Sequence, residues 1–568
     1  MNIHYKDKLV TVRIFIAGVL SFGVLVISFL AAKADEEKAK DQPFEILLVP
    51  AISDTYVLPH EVPGHALDES TIRMTACRGE YESGSFVIQA RDPLANVRFD
   101  AGDLEGPAGT IPESAIDLRV VKVWYRSGDH IHIKKELFGL APELLLKDDS
   151  LVEVDYENEV NILKMDKDAM RDADTLQPFA LDAGTVKQCW LTVRVPEDAE
   201  AGQYHGTIHV QANGEAAIDV PVELRILPFD LDAPNMIRSI YYRGTLGTNA
   251  PLCTSEQKTE EQMLAELKDM VAHGVTHPTM YQRHDGENPD GSYDLSGLQR
   301  VLDLRREAGM GGGPLFTVGV NLFSSPELIK QTKALALKNG YTELYIQARD
   351  ESYGEKLRDQ RSRIKAAHDA GAKVFVANFK KDAYQIVGDL LDIVTISTKL
   401  DLKVNQATAQ AFHAMGHKVM SYANPQGGHE IPETYRRNYG LGLWKAGYDG
   451  ACTYAYQHSF GHGWDDFDGG KDWPLRDLNM AYPTVNGIIP TVEWEGYREG
   501  YDDLRYVATL ENLIEAHKRQ DGTVGEAARM AHHRLLALDL EENSLDACRA
   551  AIVDEILTLR KAIEAAAE

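Results

Sequence analysis

Residues 314–348 read PLFTVGVNLFSSPELIKQTKALALKNGYTELYIQA, and this stretch decides the fold class. The apolar runs Pro314–Gly319 and Glu343–Ala348 predict two strands, and the helical stretch between them ends at Gly340. Glycine tolerates the left-handed backbone turn that closes a helix, so Gly340 marks the boundary before the second strand. Strand, helix and strand in this order predict one β/α unit of a parallel sheet.

The same alternation continues through the chain from residue 236 to about residue 500. Eight short apolar runs predict strands: Ile237–Arg243, Val275–Tyr281, Pro314–Gly319, Glu343–Ala348, Lys373–Asn378, Asp392–Ser397, Lys418–Asn424 and Gly450–Tyr456. The first helix begins at a capping box, Thr259–Gln262. The helices end at Gly274, Gly309, Gly340, Gly371, Gly416 and Gly447. Eight such units over about 260 residues predict a (β/α)8 TIM barrel, residues 236–500, with the catalytic groups in the loops that follow the strands.

The region before the barrel, residues 42–232, predicts an all-β sandwich domain. Runs rich in β-branched and aromatic residues alternate with turn clusters, and no long helical periodicity intervenes. The pair 203–211 and 216–227 flanks Asn213-Gly214, which predicts a hairpin. The segment Pro228–Pro234 interrupts both patterns, so we expect two separate cores that meet there.

The two ends of the chain predict accessory segments. Ala/Leu-rich amphipathic stretches at 524–540 and 545–567 predict a C-terminal helical extension, residues 501–568, on the barrel exterior. At the N-terminus, basic residues precede an apolar run from Ile14 to Ala32, and Ala32-Lys33-Ala34 fits a signal-peptidase site. Residues 1–34 therefore predict a signal peptide or a membrane anchor, followed by a charged spacer, residues 35–41. Both interpretations place the protein outside the cytoplasm, either secreted or periplasmic, or anchored through this segment.

The composition excludes several classes of protein. The 568 residues carry 59 Lys+Arg against 87 Asp+Glu, a net charge of −28. This acidic balance argues against nucleic-acid binding, because that affinity comes mostly from basic residues on phosphates. A content of 44% hydrophobic and 26% charged residues is typical of a folded globular chain. The five scattered cysteines form no CxxC or Cys/His cluster, so no disulfide framework, structural metal or cofactor is indicated.

Polar side chains stand at the predicted ends of the barrel strands. The fourth strand ends in Asp350-Glu351, and no other strand end carries two adjacent carboxylates. Glycoside cleavage needs a carboxylic acid near the leaving group and a second group that handles the developing cation. The other strand ends supply candidate substrate-binding residues: Arg243, Tyr281, Asn378, Tyr422, Asn424 and Tyr454.

The position of the pair also discriminates between mechanisms. A retaining glycosidase with a protein nucleophile needs carboxylates on opposite sides of the sugar, about 5–5.5 Å apart. Asp350 and Glu351 share one strand end and are poorly placed to flank a ring. The seventh strand ends in Tyr422 and Asn424, with no acid before Glu430. This pattern favours a substrate that supplies its own nucleophile, as a 2-acetamido sugar can.

Three stretches carry a resemblance to a known family: residues 79–86 (GEYESGSF), the Asp350-Glu351 pair, and residues 493–503 (EWEGYREGYDD). Together they resemble glycoside hydrolase family 123 and its uncharacterised relatives. The resemblance implies an exo-acting β-N-acetylgalactosaminidase with retaining, substrate-assisted catalysis, in which Asp350 polarises the acetamido group and Glu351 is the general acid/base. The implied partner is a glycan that ends in N-acetylhexosamine.

Other candidates have a structural interpretation beside the functional one. Trp494 has two interpretations: it forms the floor of the sugar site, or it is a buried residue that joins the last helix to the barrel. Tyr422 and Tyr454 predict either hydrogen-bond donors to the sugar or ordinary core residues. Arg498 and Asp502 predict an ion pair on a helix, with Glu499 and Asp503 on its solvated side.

The segment His458–Gly470 predicts a substrate-facing loop, and its aspartates are a minor candidate for calcium binding. His130 and His132 alternate on a predicted strand of the sandwich and need no metal. Two rival functions remain open. One is a glycosidase of other sugars with a nucleophile from Glu430 or the loop Asp465–Asp468, and the other is a non-catalytic glycan-binding surface protein.

Overall fold

A computed structural model describes residues 42–567, apart from residues 108, 215–216, 379–382, 397–401 and 471–473. The predicted export segment, residues 1–34, and the spacer, residues 35–41, lie outside the described residues. Within the described ranges, none of the helices combines the length and the apolar character that a bilayer crossing requires.

Two sheets form a β-sandwich in the N-terminal region. The strands in chain order are β1 (Phe44–Leu48), β2 (Ile72–Ala76), β3 (Tyr81–Ala90), β4 (Leu94–Ala101), β5 (Leu104–Gly106), β6 (Gly109–Ile111), β7 (Ile116–Arg126), β8 (Gly139–Leu146), β9 (Val152–Asp155), β10 (Val160–Leu163), β11 (Phe179–Leu181), β12 (Val186–Arg194), β13 (Gly202–Gln211) and β14 (Ile218–Ile226). One sheet has the order β1-β3-β12-β7-β8 and the other β11-β4-β13-β14-β2, while β9 pairs with β10. Their facing apolar side chains form the core between the sheets.

The predicted hairpin is confirmed. Strands β13 and β14 pair antiparallel from Gly202↔Ile226 to Val210↔Ile218. The connecting turn contains Asn213 at φ +56° and Gly214 at φ +74°. Two successive positive φ angles are the requirement of the tight hairpin turns that Asn-Gly favours, so the local sequence is sufficient to predict this element.

The remaining strands are β15 (Ile237–Tyr242), β16 (Thr245–Leu246), β17 (Gln257–Lys258), β18 (Gly286–Glu287), β19 (Tyr293–Asp294), β20 (Pro314–Asn321), β21 (Glu343–Gln347), β22 (Lys373–Asn378), β23 (Ile393–Ile396), β24 (Lys418–Ser421), β25 (Gly450–His458), β26 (Leu478–Asn479), β27 (Ala481–Thr484) and β28 (Gly487–Pro490). The helices are α1 (Glu260–Ala272), α2 (Ser296–Glu307), α3 (Pro326–Lys338), α4 (Glu355–Arg358), α5 (Arg361–Asp369), α6 (Ala383–Val387), α7 (Leu402–Ala414), α8 (Pro432–Tyr439), α9 (Leu441–Lys445), α10 (Val492–His517), α11 (Gly522–Leu536) and α12 (Leu545–Ala567). Together these elements make the protein a mixed α/β chain with a β-sandwich before the parallel sheet.

Seven parallel strands form a curled sheet in the order β15-β25-β24-β23-β22-β21-β20. The predicted second strand, Val275–Tyr281, is not a strand, so the expected (β/α)8 barrel is seen as a seven-stranded sheet. The segment nevertheless lies between the two edge strands, because Thr279 N–H donates to Ile240 O at 2.9 Å and Met280 N–H donates to Phe316 O at 2.9 Å. Pro278 has no N–H to give a sheet, which accounts for the irregular backbone.

The predicted helix boundaries are confirmed. Both hydrogen bonds of the Thr259–Gln262 capping box are present at the start of α1. All the glycines predicted to end helices have positive φ angles: Gly274, Gly309, Gly340, Gly371, Gly416 and Gly447. These positions favour glycine because a side chain strains the left-handed backbone conformation.

The buried apolar residues of the sandwich and those around the parallel sheet form two distinct clusters, and segments from beyond the sheet strands complete the sandwich cluster. Trp464 and Tyr482, which follow the last barrel strand, belong to the sandwich core, and the Trp124 ring lies 5.6 Å from Tyr482 and 6.3 Å from Trp464. The C-terminal helices α10–α12 pack on Leu227 and Phe229 as well as on Leu441 beside the parallel sheet. The two regions therefore share a packed boundary, across which loops of the sandwich reach the parallel-sheet region.

Candidate active site

A cleft of about 730 Å³ opens at the carboxyl ends of the parallel strands. Six of the nine predicted site residues line it: Arg243, Tyr281, Asp350, Glu351, Tyr422 and Tyr454. Arg243, the two carboxylates and Tyr422 follow β15, β21 and β24, Tyr454 lies within β25, and Tyr281 lies in the irregular segment beside β15. In parallel α/β folds the carboxyl ends of the strands meet at one edge, which explains how residues so far apart in sequence share one cleft.

Asp350 and Glu351 occupy a turn that the neighbouring strand holds in place. Ala348 N–H donates to Phe375 O at 2.9 Å, and Glu351 N–H donates to Ala377 O at 3.2 Å. Glu351 has a φ of +47°, a left-handed conformation that is unfavourable for a residue with a side chain. Such conformations persist where the surrounding structure imposes them, and they are concentrated at functional sites.

The cleft changes the proton affinity of both carboxyls. Both side chains are exposed to solvent in the open cleft. Partial burial between its walls nevertheless raises the pKa of Asp350, and burial together with the charge of Asp350 raises the pKa of Glu351. Since Asp begins from the lower ordinary pKa, it ionises first and its charge then favours retention of the proton on Glu351. The two pKa shifts thus favour a proton on Glu351 over one on Asp350.

Tyr422 lies beside the pair, directly after β24. Burial raises the pKa of Tyr422, and the charges of Asp350 and Glu351 raise it further. The phenol therefore keeps its proton and can donate a hydrogen bond into the cleft. Beneath it, the buried ring of Tyr241 lies 5.8 Å from Tyr422 and 5.2 Å from Tyr454, so an aromatic layer supports both phenols.

Arg243 and Tyr454 belong to a fixed hydrogen-bonded group in the same cleft. Arg243 Nη1 donates to Tyr454 Oη at 3.1 Å, and Arg243 Nε donates to Glu256 Oε1 at 3.0 Å. The guanidinium also lies 5.2 Å above the Tyr281 ring. Tyr454 Oη is 2.8 Å from His458 Nδ1. Burial lowers the pKa of His458 to about 4, with a further contribution from Arg243, so the imidazole is neutral and its Nδ1 can accept a hydrogen bond from the phenol.

Glu256 had no predicted role in the site, and His458 was included only as the first residue of the predicted substrate-facing segment. The available signal for His458 was its position four residues after Tyr454 at the end of β25, but Glu256 lies in a loop with no distinguishing pattern. Phe460 from the predicted substrate-facing segment does line the cleft, together with Gln347 and His429.

Two predicted binding residues, Asn424 and Trp494, are not among the described residues that line the cleft. Asn424 is buried behind the loop that follows β24, where its N–H donates to Tyr439 Oη at 3.0 Å. The side chain of Asn378 lies outside the described residues. Trp494 has no exposed surface: its Nε1 donates to Asp269 Oδ2 at 2.9 Å and its ring stacks on His273 at 4.4 Å. Trp494 therefore matches the structural interpretation, a residue that joins α10 to α1, and not the floor of a sugar site.

The predicted ion pair on α10 is also wrong. Arg498 pairs with Glu495, and Asp502 pairs with Arg505 at 3.0 Å. Glu499 and Asp503, expected on a solvated face, are buried and pair with Arg549 of α12 at 2.7 and 2.6 Å. Helix α12 and the sandwich cover this face of α10, which a sequence window cannot reveal.

The rival nucleophiles do not line the cleft. Glu430 is buried between Arg126 and Arg476, at 2.9 and 3.0 Å, and although burial opposes it, these two guanidiniums lower the pKa of Glu430. The aspartates of the 465–468 loop accept backbone N–H groups: Asp465 from Phe467, Asp466 from Ser127 and Asp477, and Asp468 from His462. Over the described ranges, no group of three His, Cys, Asp or Glu residues could hold a metal ion.

One part of the cleft wall was not predicted. His130 and His132 do not lie on a strand, because β7 ends at Arg126 and β8 begins at Gly139. They belong to the loop between these strands, and Asp129, His130, Ile131 and His132 all line the cleft. The cleft wall therefore includes residues of the sandwich.

The fold and the cleft define an α/β protein with paired carboxylates at the carboxyl edge of a curled parallel sheet, and comparisons with known proteins agree. The family model described as glycoside hydrolase 123 N-terminal domain matches residues 55–212. A family 123 glycoside hydrolase from Clostridium perfringens, whose structure describes glycolipid glycan hydrolysis, superposes with a TM-score of 0.61 at 14% identity, over 92% of this chain and 98% of that chain. The resemblance to glycoside hydrolase family 123 is thus confirmed.

Other solved structures are less similar. A GH5 xyloglucanase from Bacteroides ovatus has a TM-score of 0.29 at 8% identity, over 76% of this chain and 98% of that chain. A putative glycoside hydrolase from Bacteroides vulgatus has a TM-score of 0.26 at 9% identity, over 78% and 79% of the two chains. No curated protein sequence matches the chain.

Proposed function

We propose that the protein is an exported glycoside hydrolase that releases terminal β-linked N-acetylhexosamine, with N-acetylgalactosamine as the preferred sugar, by retaining, substrate-assisted catalysis. One observation carries the proposal: Asp350 and Glu351 share one strand end in the cleft, whereas Glu430 and the 465–468 aspartates lie away from it with their own partners. The resemblance to family 123 supports the same class of enzyme.

In this mechanism the substrate supplies the nucleophile. The ionised Asp350 accepts a hydrogen bond from the acetamido N–H and turns the acetamido oxygen toward the anomeric carbon. Glu351 donates its proton to the glycosidic oxygen as the bond to the leaving group breaks. The resulting oxazolinium carries a positive charge that Asp350 stabilises. Glu351, now ionised, then takes a proton from water, which attacks the anomeric carbon and restores both the acetamido group and the acid.

The fixed polar residues of the cleft are proposed to hold the sugar. Tyr422 donates a hydrogen bond to the substrate beside the carboxylates, and Arg243 and Tyr454 bind hydroxyl groups of the sugar. Their hydrogen bonds to Glu256 and His458 orient them before the substrate arrives. Such preorganisation reduces the reorganisation required during the reaction.

The decisive experiment compares Asp350→Ala and Glu351→Ala on two substrates that differ only in the leaving group. Loss of the acid in Glu351→Ala should impair a poor leaving group far more than an activated aryl leaving group, which departs without protonation. Asp350→Ala should impair both substrates, because the acetamido nucleophile loses its partner. Glu355→Ala, which removes an exposed carboxylate a few residues away, is the matched control. Near-full activity of Asp350→Ala on acetamido substrates would overturn the mechanism.

A second candidate mechanism rests on Asp129, the remaining carboxylate that lines the described part of the cleft. If Asp129 acts as the nucleophile, the enzyme needs no acetamido group. A panel of aryl glycosides separates the two mechanisms. Turnover of acetamido sugars alone supports substrate assistance, whereas turnover of other sugars, abolished by Asp129→Asn, supports the alternative.

The export of the protein is part of the proposal and rests on residues 1–34. Sequencing of the N-terminus of the mature protein should begin near Asp35. A full-length protein in the cytoplasmic fraction would contradict export, and a full-length protein in the membrane fraction would favour the anchor.

A further inference from the structure

The loop between β7 and β8, residues 127–138, leaves the sandwich and reaches the cleft. Four of its residues, Asp129–His132, line the same cleft as Asp350 and Glu351. The proposed mechanism uses none of them. A loop from a separate region that forms part of a catalytic cleft is a natural place for substrate selection, because its sequence can change without disturbing the strand ends.

Backbone pairing holds this loop against the barrel. Arg476 N–H donates to Ile131 O at 3.0 Å, Ile133 N–H donates to Pro474 O at 3.0 Å, and His132 forms an isolated antiparallel bridge with Leu475. The loop therefore adds a short strand-like edge to the segment that follows the last barrel strand.

Side chains fix the base of the loop as well. The fully buried guanidinium of Arg476 donates to the Gly128 carbonyl and to Glu430 Oε1, the latter at 3.0 Å. Ser127 N–H donates to Asp466 Oδ2 at 2.8 Å. Glu430 and Asp466, which were candidate nucleophiles, therefore contribute to the position of the loop. The wall is thus built before any substrate binds.

The two histidines present their rings on this wall. Their ring centroids lie 5.5 Å apart. Nδ1 of His130 lies 3.0 Å from the backbone nitrogen of His132 and 3.1 Å from its carbonyl oxygen, so this ring nitrogen is engaged within the loop in either tautomer. The Nε2 edge of His130 is then the edge that can meet a ligand.

The chemistry of the wall fits a sugar. Beside the polar groups of Asp129, His130 and His132 lie apolar side chains that also line the cleft: Ile131, Phe460, Leu475 and Leu478. A pyranose has apolar C–H faces and a rim of hydroxyls, and this mixed wall can contact both. A lipid chain would leave the polar groups without hydrogen bonds, at a free-energy cost.

We propose that Asp129–His132 bind the first sugar of the leaving group and so select the glycan that the enzyme cleaves. This inference rests on the proposed function, which places the terminal N-acetylhexosamine at the strand ends. A cleft of about 730 Å³ lies in the range that holds ligands larger than one monosaccharide. The second sugar then contacts the sandwich, and the two regions act on one substrate.

The test uses the full chain and two substrates with the same terminal sugar. One is an aryl β-N-acetylgalactosaminide, whose leaving group is a small flat ring, and the other is a disaccharide with β-N-acetylgalactosamine on galactose. The variant His130→Ala/His132→Ala should lower kcat/KM for the disaccharide about tenfold, the factor expected from two lost hydrogen bonds. It should leave kcat/KM for the aryl substrate within about twofold.

The control is His205→Ala/His209→Ala, a pair of histidines on β13 of the sandwich that do not line the cleft. It should leave kcat/KM unchanged for both substrates. If the double alanine variant has a lower unfolding temperature than this control, His130→Ala alone and the conservative His130→Gln/His132→Gln variant replace it. His130→Ala should still lower kcat/KM for the disaccharide relative to the aryl substrate, and the glutamines should restore part of the disaccharide activity.

The outcomes separate the two proposals. If a folded variant shows the same fall in kcat/KM on both substrates, or no fall on either, the proposed role of the loop is wrong while the proposed function stands. Wild-type protein that cleaves neither substrate overturns the proposed function, and this inference with it.

Discussion

The carboxylates at the cleft and those between α10 and α12 have opposite surroundings. Asp350 and Glu351 have raised pKa values with burial as the main cause, and no cation is among the causes of either shift. Asp503 is fully buried, yet it pairs with Arg436 at 2.9 Å and with Arg549 at 2.6 Å. A buried carboxylate that is paired with guanidiniums stabilises the fold. A carboxylate without a neighbouring cation can instead bind a proton or a substrate.

This comparison predicts that one group of carboxylates affects activity and the other affects stability. The test compares Asp350→Ala with Asp503→Ala. Asp350→Ala should lower kcat/KM on acetamido substrates about 10³-fold (~4 kcal/mol), because it removes the partner of the internal nucleophile. Its free energy of unfolding should stay unchanged or rise, since an unfavourably placed carboxylate is lost. Enzyme assays and urea unfolding of the same samples give both values.

Asp503→Ala should show the reverse pattern. It leaves Arg436 and Arg549 without their shared buried partner, and removal of one member of a buried ion pair costs about 3–5 kcal/mol of the free energy of unfolding. Asp554→Ala, an exposed position on α12, is the control and should change stability little. Similar stabilities of the Asp503 and Asp554 variants would break the comparison.

The raised pKa of Glu351 gives a second test. A glutamic acid with an ordinary pKa of about 4.3 would lose its proton well below neutral pH. Because burial and Asp350 raise this pKa, the acid form persists to higher pH, and activity on poor leaving groups should fall as pH rises through the raised value. NMR titration of the Glu351 carboxyl should show a lower pKa in Asp350→Asn, since the neighbouring charge is gone. An unchanged pKa would mean that Asp350 does not act on Glu351.

A carboxylate that is paired with cations should have its pKa shifted in the opposite direction, below the ordinary value. Asp149 lies 2.9 Å from Lys122 and 2.8 Å from Lys187. Although burial opposes it, these two lysines lower the pKa of Asp149 to about 2. A lowered pKa in the folded state contributes stability above the unfolded pKa of about 3.9, and this contribution is lost as pH falls toward 2. Asp149→Asn should therefore cost about 2 kcal/mol at pH 7 and much less near pH 2, measured by urea unfolding at both pH values.

The smallest effect is expected for His458, a positioning residue that acts through Tyr454. His458→Ala removes the acceptor of the Tyr454 proton and should lower kcat/KM about tenfold. His458→Gln supplies an amide acceptor and should recover part of the loss, while both variants unfold at similar denaturant concentrations. If the glutamine variant is as impaired as alanine, the hydrogen bond to Tyr454 has no role in catalysis.

The sequence was most informative where a structural outcome depends on residues close together in the chain. The Thr259 capping box, the glycines after the helices and the Asn213-Gly214 turn all appear as predicted. The strand end at Asp350-Glu351 follows from the same local periodicity. These elements rest on hydrogen bonds and backbone preferences within a few residues, so a sequence window contains their causes.

Prediction failed where an outcome depends on which surface covers a residue. Trp494, Glu499 and Asp503 lie on α10, and their burial follows from the packing of α1, α12 and the sandwich on that helix. The His130–His132 loop reaches the cleft because residues 474–476, which are distant in sequence, pair with it. The sequence by itself determined the order of elements and placed the Asp350-Glu351 pair at a strand end. Only the tertiary structure decided which charges are paired and which regions form the cleft, because both depend on contacts between segments tens to hundreds of residues apart.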